Sequence, residues 1–456
     1  MQAERFDAIV IGAGQAGPPL AGRLTSAGMK VALVERSLLG GTCVNRGCTP
    51  TKALVASARA AHVARHGADW GLRPVAGVAV DMPRVRERAA AIARQSRESV
   101  AEWLKGMKGL TLLHGHAQFE GPRRIRVGER LLEAPRIILN TGARPVIPDL
   151  PGLENVPYLT STGMLALNAV PEHLLILGGS YIALEFAQMF RRFGAEVTVI
   201  ERGARLLARE DEDISQAIRE ILEAEGIVIR TGVAALSVEP REDGVALRTD
   251  GGELSGSHLL VAVGRRPNTD DLGLEVAGLA PDKHGYIPVD DRLATQAEGV
   301  WALGDCNGRG AFTHTAYNDF EILAANLLDG EDRRLGQRVP CYALYIDPPL
   351  GRAGMTETEA RATGRKVLVA TRPMARVARA REKGETRGLM RCVADAESGQ
   401  ILGAAILGVE GDEAVHSLLN AIGAGTPFET LIRTMPIHPT VSELIPTLLQ
   451  SLAPAQ

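Results

Sequence analysis

The chain has 456 residues, enough for about three domains at roughly 150 residues each. Its 51 basic and 54 acidic side chains nearly cancel, leaving a net charge of -3, with no basic block for nucleic acid and no acidic tail. Aromatic side chains make up 4% of the chain, too few for a base-stacking surface. The absence of any run of ~20 apolar residues predicts no membrane span. Five cysteines in a chain this long do not make a secreted disulfide framework. With no basic or cleavable apolar segment before the first strand, a cytoplasmic protein is expected.

The apolar run from Phe6 to Ile11 ends in Gly12-Ala13-Gly14-Gln15-Ala16-Gly17. A helix-like segment then runs to Gly28, and a strand from Lys30 to Val34 ends at Glu35. This is a dinucleotide fingerprint in its required context: Gly12 makes the turn, Gly14 lets the backbone approach a pyrophosphate, and Gly17 lets helix and strand pack closely. The helix N-terminus offers unpaired N–H groups and positive dipole to phosphates, and Glu35 is placed to accept from a ribose diol. Proline is comfortable only in a helix's first turn, so Pro18-Pro19 predicts a locally distorted helix start.

Next comes Gly40-Gly41-Thr42-Cys43-Val44-Asn45-Arg46-Gly47-Cys48-Thr49-Pro50-Thr51-Lys52. A metal site would need a second cysteine pair. Cys306, Cys341 and Cys392 are isolated, so a redox-active disulfide is the sharper reading. Helices are expected over about 50–65 and 83–105, the second with Val85, Ala89, Ile92, Ala93, Val100 and Leu104 on one side.

A second fingerprint starts at Leu174-Leu175-Ile176-Leu177-Gly178-Gly179-Ser180-Tyr181-Ile182-Ala183-Leu184-Glu185, and its second strand ends at Glu201. Gly12 to Gly178 and Glu35 to Glu201 are the same 166 positions, which marks an internal duplication and two dinucleotide sites. Ser180 and Ala183 replace two glycines with small side chains. Each fingerprint is followed by an apolar strand that exits through glycine, at Thr141-Gly142 and at Val263-Gly264. The segment 145–157 reads as an inter-domain connection, and 211–225 as an amphipathic helix with acids in its first turn. At Gly304-Asp305 a buried strand ends, and Asp305 either binds a polyol hydroxyl or caps a helix over about 318–328. Beyond Pro340, short β-like runs and helices near 411–423 and 427–433 indicate an α+β domain with an antiparallel sheet. His438-Pro439-Thr440-Val441-Ser442-Glu443 places a histidine before a proline, with an acid near enough to orient the ring.

Together these motifs resemble the class I pyridine nucleotide–disulfide oxidoreductases of the glutathione reductase, dihydrolipoamide dehydrogenase and mercuric reductase type, across essentially the whole chain. The resemblance implies an α/β fold with two Rossmann-like domains and a C-terminal α+β dimerisation domain. The expected segments are 1–147 (FAD-binding), 148–266 (NAD(P)-binding), 267–336 (second FAD-binding part) and 337–456 (dimerisation). It implies FAD at Gly12, Gly14, Gly17, Glu35, Gly41, Thr42, Thr141, Gly142 and Asp305, the last holding the ribityl–phosphate region. NADH or NADPH is implied at Gly178, Tyr181, Glu201 and Gly264, with Tyr181 gating the nicotinamide. Cys48 faces the flavin in this scheme, and Cys43 attacks the substrate. Lys52 and Glu185 form an ion pair beside the flavin. His438, oriented by Glu443, moves protons across a homodimer interface. Positions five apart in a regular helix lie roughly 7.5 Å apart along the axis, whereas a disulfide needs Cα atoms within about 7 Å. The local backbone must therefore be distorted, and Gly47 together with Pro50 allows it.

The expected activity is electron transfer from NAD(P)H through FAD to the Cys43–Cys48 disulfide, and on to a small disulfide or other thiol-reactive substrate, with no nucleic-acid or membrane partner. Glu201 favours NADH, because an acid repels a 2′-phosphate; Arg202 and Arg205 soften that preference. Arg46 and Thr49 stand where the family usually has aliphatic residues. Mercuric reduction is an alternative, against which stand His438 and a C-terminal segment without a cysteine pair. Residues 310–315 and 345–349 resemble a mercuric-reductase-like bacterial subgroup akin to flavoproteins of reactive-chlorine resistance. Dihydrolipoamide dehydrogenase is a further alternative. From outside the disulfide class, an NAD(P)H oxidase or quinone reductase with structural cysteines is the rival.

Overall fold

The computed structural model describes residues 2–73 and 77–454. The chain divides into two compact units: Met1–Ala53, Arg86–Val146 and Gly264–Arg338 form one, and Leu54–Val85, Ile147–Val263 and Val339–Gln456 the other.

The first unit is built on a five-stranded parallel sheet in the order Val300–Ala302, Ile137–Leu139, Ala8–Ile11, Val31–Glu35, Leu110–His114. Along its central strand Ile9 and Ile11 enter one core and Ala8 and Val10 the other. A strand apolar at every position has no face to give to water, so both sides of the sheet are covered. A four-stranded sheet (Glu4–Arg5, Arg130–Glu133, Arg124–Val127, Ala117–Gly121) packs in the same unit. The helix Gly17–Ser26 starts regularly, with Pro18 and Pro19 inside its first turn, so the expected distortion does not occur. The first turn needs no donor from proline.

The second unit repeats the plan with a parallel sheet ordered Tyr158–Leu159, His258–Val261, His173–Leu177, Glu196–Glu201, Val228–Thr231. It also carries a six-stranded antiparallel sheet: Cys341–Leu344, Leu350–Gly354, Ile401–Leu407, Leu389–Asp395, Val367–Pro373, Ala453–Pro454. The chain crosses from one unit to the other at Val146 and Ile147, inside the expected connection.

The duplication holds at atomic detail. Gly12 N donates to Val34 O and Gly178 N donates to Ile200 O, both at 2.8 Å. Both glycines have positive φ, 106° and 109°. A Cβ there would meet the Asn140 carbonyl oxygen at 2.2 Å or the Ala262 carbonyl oxygen at 2.5 Å. Only glycine fits either turn.

Candidate active site

The redox segment is two helices, not one. Gly41–Arg46 is a short helix, Gly47 breaks it, and Cys48–Arg65 follows, beginning two residues before the expected Pro50. A Cβ on Gly47 would stand 2.9 Å from the Thr42 carbonyl oxygen. The break brings the sulfurs together, and the Cys43 thiol hydrogen-bonds Cys48. That bond, then burial and the charge of Cys48, raise the Cys43 pKa, whereas Thr313 and Lys52 act to lower it. Cys48 Sγ lies 3.4 Å from Thr313 Oγ1, at the start of helix Thr313–Ala324. Cys48 is exposed and Cys43 half-buried.

The segment is tied to the first fingerprint. Gly40 N donates to Ala13 O at 2.9 Å, and Gln15 Nε2 donates to Gly40 O at 3.0 Å. Gly41 approaches so closely that its Cβ would lie 2.7 Å from Gly14 Cα. Asn45 Nδ2 donates to the Leu39 and Gly41 carbonyls at 2.8 and 2.9 Å, locking the turn that precedes Cys43.

The two acids at the strand ends behave alike. Glu35 accepts from Ala13 N at 2.8 Å and Ser37 N at 2.7 Å. Glu201 accepts from Gly179 N and Gly203 N, each at 2.6 Å. Each carboxylate has further lone pairs for a diol. Thr141 Oγ1 is buried with no conventional hydrogen-bond partner among the described residues. Gly17 packs so tightly that a Cβ would lie 2.1 Å from Gly12 O. Close backbone approach and fixed acids suit two dinucleotides.

Asp305 does not cap the following helix, whose N-cap position is Phe312. It lies 3.6 Å from Arg265 Nε, and burial raises its pKa. The Gly304 turn before it is held by Asp319, whose Oδ2 accepts from Gly304 N at 2.8 Å.

In the second unit, Tyr181 opens helix Tyr181–Phe193, and Glu185 is buried one turn on. Tyr345 N donates to Glu185 Oε1 at 3.1 Å. Lys52 and Glu185 belong to different units. His438 Nδ1 lies 2.8 Å from Glu443 Oε2, and the His438 side chain is 75% exposed against 11% for Glu443. Nδ1 faces the acid, so Nε2 is the nitrogen left for proton transfer.

Sequence reasoning missed Asn140, Thr313 and Asp319. Asn140 Nδ2 donates to Gly12 O at 3.1 Å, next to the nucleotide turn. Its position at the end of an apolar strand, just before the glycine exit, was the available signal. Thr313 lies in the marked segment 310–315, but nothing there tied it to Cys48, and Asp319 carries no mark, because their partners are far away in sequence.

Residues 6–319 match the pyridine nucleotide-disulphide oxidoreductase family, and 341–449 match the dimerisation domain of the same family. The chain is 36% identical over 448 residues to the probable pyridine nucleotide-disulfide oxidoreductase RclA of Escherichia coli, covering 96% of this chain and 97% of that one. It is 35% identical over 445 residues to a dihydrolipoyl dehydrogenase of Thermus scotoductus (96% and 95% covered). To a mercuric reductase of Streptomyces lividans it is 33% identical over 449 residues (96% and 94%). A Cu(II) complex of the HOCl-induced flavoprotein disulfide reductase RclA from E. coli is similar throughout, with TM-score 0.90, 35% identity and coverage of 97% and 99%. The chain therefore belongs to the class I pyridine nucleotide–disulfide oxidoreductases, flavoenzymes that use FAD and a pyridine nucleotide. The dimerisation-domain match supports a homodimer. Among the described residues no helix is long and apolar enough to cross a membrane.

Proposed function

We propose that this flavoprotein disulfide oxidoreductase runs its chemistry through Cys43 and Cys48. The observation that carries the reading is the Cys43 thiol hydrogen-bonded to Cys48 across the Gly47 break, with Thr313 and Lys52 beside it. When bound, FAD and the nicotinamide supply hydride chemistry that delivers two electrons to this pair. Gly12, Gly14, Gly17, Glu35, Gly41, Thr42, Thr141, Gly142 and Asp305 hold FAD. Gly178, Tyr181, Glu201 and Gly264 hold the nicotinamide cofactor, with Tyr181 as gate. Lys52 pairs with Glu185 beside the flavin. Cys48 is the flavin-side sulfur and Cys43 the thiolate that attacks substrate. His438, aligned by Glu443, exchanges protons with that thiol through Nε2, and does so across a homodimer in the cytoplasm. The four segments 1–147, 148–266, 267–336 and 337–456 divide these tasks.

NADH is the favoured donor. Glu201 repels a 2′-phosphate, and Arg205, which could have countered it, donates instead to the Ala208 and Glu210 carbonyls at 3.1 and 3.2 Å.

A second reading keeps the same pair but makes the substrate a soft metal ion or an oxidant. It is supported by the similarity to a mercuric reductase and to a disulfide reductase solved with Cu(II) and described as HOCl-induced.

Thiol titration of purified holoenzyme tests the central claim. Two additional thiols per chain are expected after NADH reduction, and none in Cys43→Ser. An unchanged thiol count with a fully reduced flavin would leave an NAD(P)H oxidase or quinone reductase.

A further inference from the structure

Between Glu35 and Asp69 the chain carries Arg36, Arg46, Lys52, Arg59 and Arg65 and no carboxylate. Most of these cations are engaged. Arg36 pairs with Asp271 at 2.7 Å, Arg59 with Asp347 and Glu385 at 2.5 Å each, and Arg65 donates to the Arg192 and Val78 carbonyls. Lys52 acts on Cys43. Arg46 is different. It is exposed at the last position of helix Gly41–Arg46, and among the described residues it makes no hydrogen bond or ion pair.

Its place on that helix matters. Cys43 and Arg46 are three residues apart in one helical turn, so their Cβ atoms are neighbours at roughly 5–6 Å. Lys52 already supplies a nearby positive charge that acts to lower the Cys43 pKa. What remains is a solvent-facing planar guanidinium beside a thiol, with no acid on its own segment to neutralise it. Guanidinium forks bind carboxylates through two parallel N–H bonds.

We infer that Arg46 selects the substrate: the site takes small disulfides carrying carboxylates close to the S–S bond, in preference to neutral or cationic ones. This rests on the disulfide-reductase reading above. Arg46 holds the carboxylate while the Cys43 thiolate attacks the nearer sulfur. A Cys43–substrate S–S bond forms as the substrate's own S–S bond breaks, and the departing thiolate takes a proton from His438. Cys48 then displaces the second substrate thiolate, which takes up the proton that the Cys48 thiol gives up to His438 as it attacks. The Cys43–Cys48 disulfide re-forms, and two electrons have passed from the dithiol to the substrate.

The test has two arms, both on holoenzyme. In the first, NADH-reduced protein is alkylated with iodoacetate or with neutral iodoacetamide, and modification of Cys43 is followed by peptide mass. Either reagent gives a thioether as iodide leaves. Arg46→Gln is expected to lower the iodoacetate-to-iodoacetamide rate ratio by about fivefold to tenfold, since local charge changes encounter rates by at least that much. Arg46→Lys should restore most of it, and added salt should lower the wild-type ratio but not that of the Gln variant. In the second arm, kcat/KM is compared for dithiobis(nitrobenzoate), hydroxyethyl disulfide and cystamine. The anionic-to-neutral selectivity is expected to fall by a similar factor in Arg46→Gln and to invert in Arg46→Glu.

An unchanged ratio in both arms overturns the inference, as does an equal loss for every reagent and substrate. If wild-type enzyme turns over none of the three disulfides, the disulfide reading fails by itself. The alkylation ratio still decides whether Arg46 attracts anions to Cys43.

Discussion

Gln188 and Asp347, 159 positions apart, exchange two hydrogen bonds: Asp347 N donates to Gln188 Oε1 at 2.7 Å, and Gln188 Nε2 donates to Asp347 O at 2.8 Å. The amide pairs with the backbone as a neighbouring strand would. Arg192, one helical turn further, donates from Nη1 to Asp347 Oδ2 at 2.6 Å and grips Glu225 through two bonds of 2.8 Å. Burial pushes the Asp347 pKa up, but Arg192 and Arg59 outweigh it and hold the carboxyl below its ordinary value. One face of helix Tyr181–Phe193 thus fixes residues 345–347, and that segment supplies the N–H that Glu185 accepts.

Gln188→Leu would strand the Asp347 N–H, an unpaired group that costs about 1–3 kcal/mol, while Asp347 O keeps Arg192 Nη2 at 3.4 Å as a donor. The expected loss of stability is about 1–3 kcal/mol in denaturant titrations. Because Glu185 loses its fixed donor, flavin reduction by NADH should also slow about tenfold, equivalent to ~1.4 kcal/mol. A stability loss with no change in that rate would confine the contact to scaffolding.

If His438 carries the proton as proposed, His438→Ala should lower disulfide turnover by about 10²–10⁴, with flavin reduction by NADH retained. Met435 and Ile437, beside the histidine, are 96% and 78% exposed, an apolar strip that a partner subunit would cover. Met435→Asp combined with Ile437→Asp is expected to shift the dimer toward monomer in sedimentation, with turnover falling in parallel. A monomer that keeps full turnover would show that each chain holds a complete site.

Glu201→Ala removes both the ribose acceptor and the repulsion of a 2′-phosphate. Steady-state kinetics should show kcat/KM for NADH falling, and the NADPH-to-NADH ratio rising about tenfold, the equivalent of roughly one charged hydrogen bond. An unaltered ratio would move donor selection elsewhere in the pocket.

Glu210 is buried beside Arg352, and burial pushes its pKa up to about 7. The folded state therefore binds its proton more tightly than the unfolded chain does. The stability this contributes is fully present below the unfolded value of 4.5 and is lost as pH rises toward about 7. Glu210→Gln should flatten the stability–pH curve between those limits. Relative to wild type it gains on the order of 2–3 kcal/mol at pH 8 over its difference at pH 4, read from denaturation midpoints. Parallel curves for the two proteins would rule this out.

Local chemistry was readable from the sequence and remote chemistry was not. Both glycine turns were legible because a glycine, a strand end and an acid 23 residues after it are all that Gly12 and Glu35, or Gly178 and Glu201, require. A distortion near Gly47 followed from the length mismatch between a helix and a disulfide; that it splits the segment into two helices did not. The smooth entry of Pro18 and Pro19 was misjudged, since nothing local fixes where a helix takes its first residue. Thr313 beside Cys48, and Asp347 against Gln188, bring together residues 265 and 159 positions apart, and no periodicity announces such pairs.

The twin carboxylate clamps have a practical meaning. Glu35 and Glu201 are each fastened by two main-chain amides, one from their own loop and one from the glycine turn 22 positions before it. Redesigning one loop therefore leaves the other's scaffold untouched. On the proposed reading the two cofactor preferences are then separately adjustable, and the same exchange made at position 35 serves as the internal control for one made at 201.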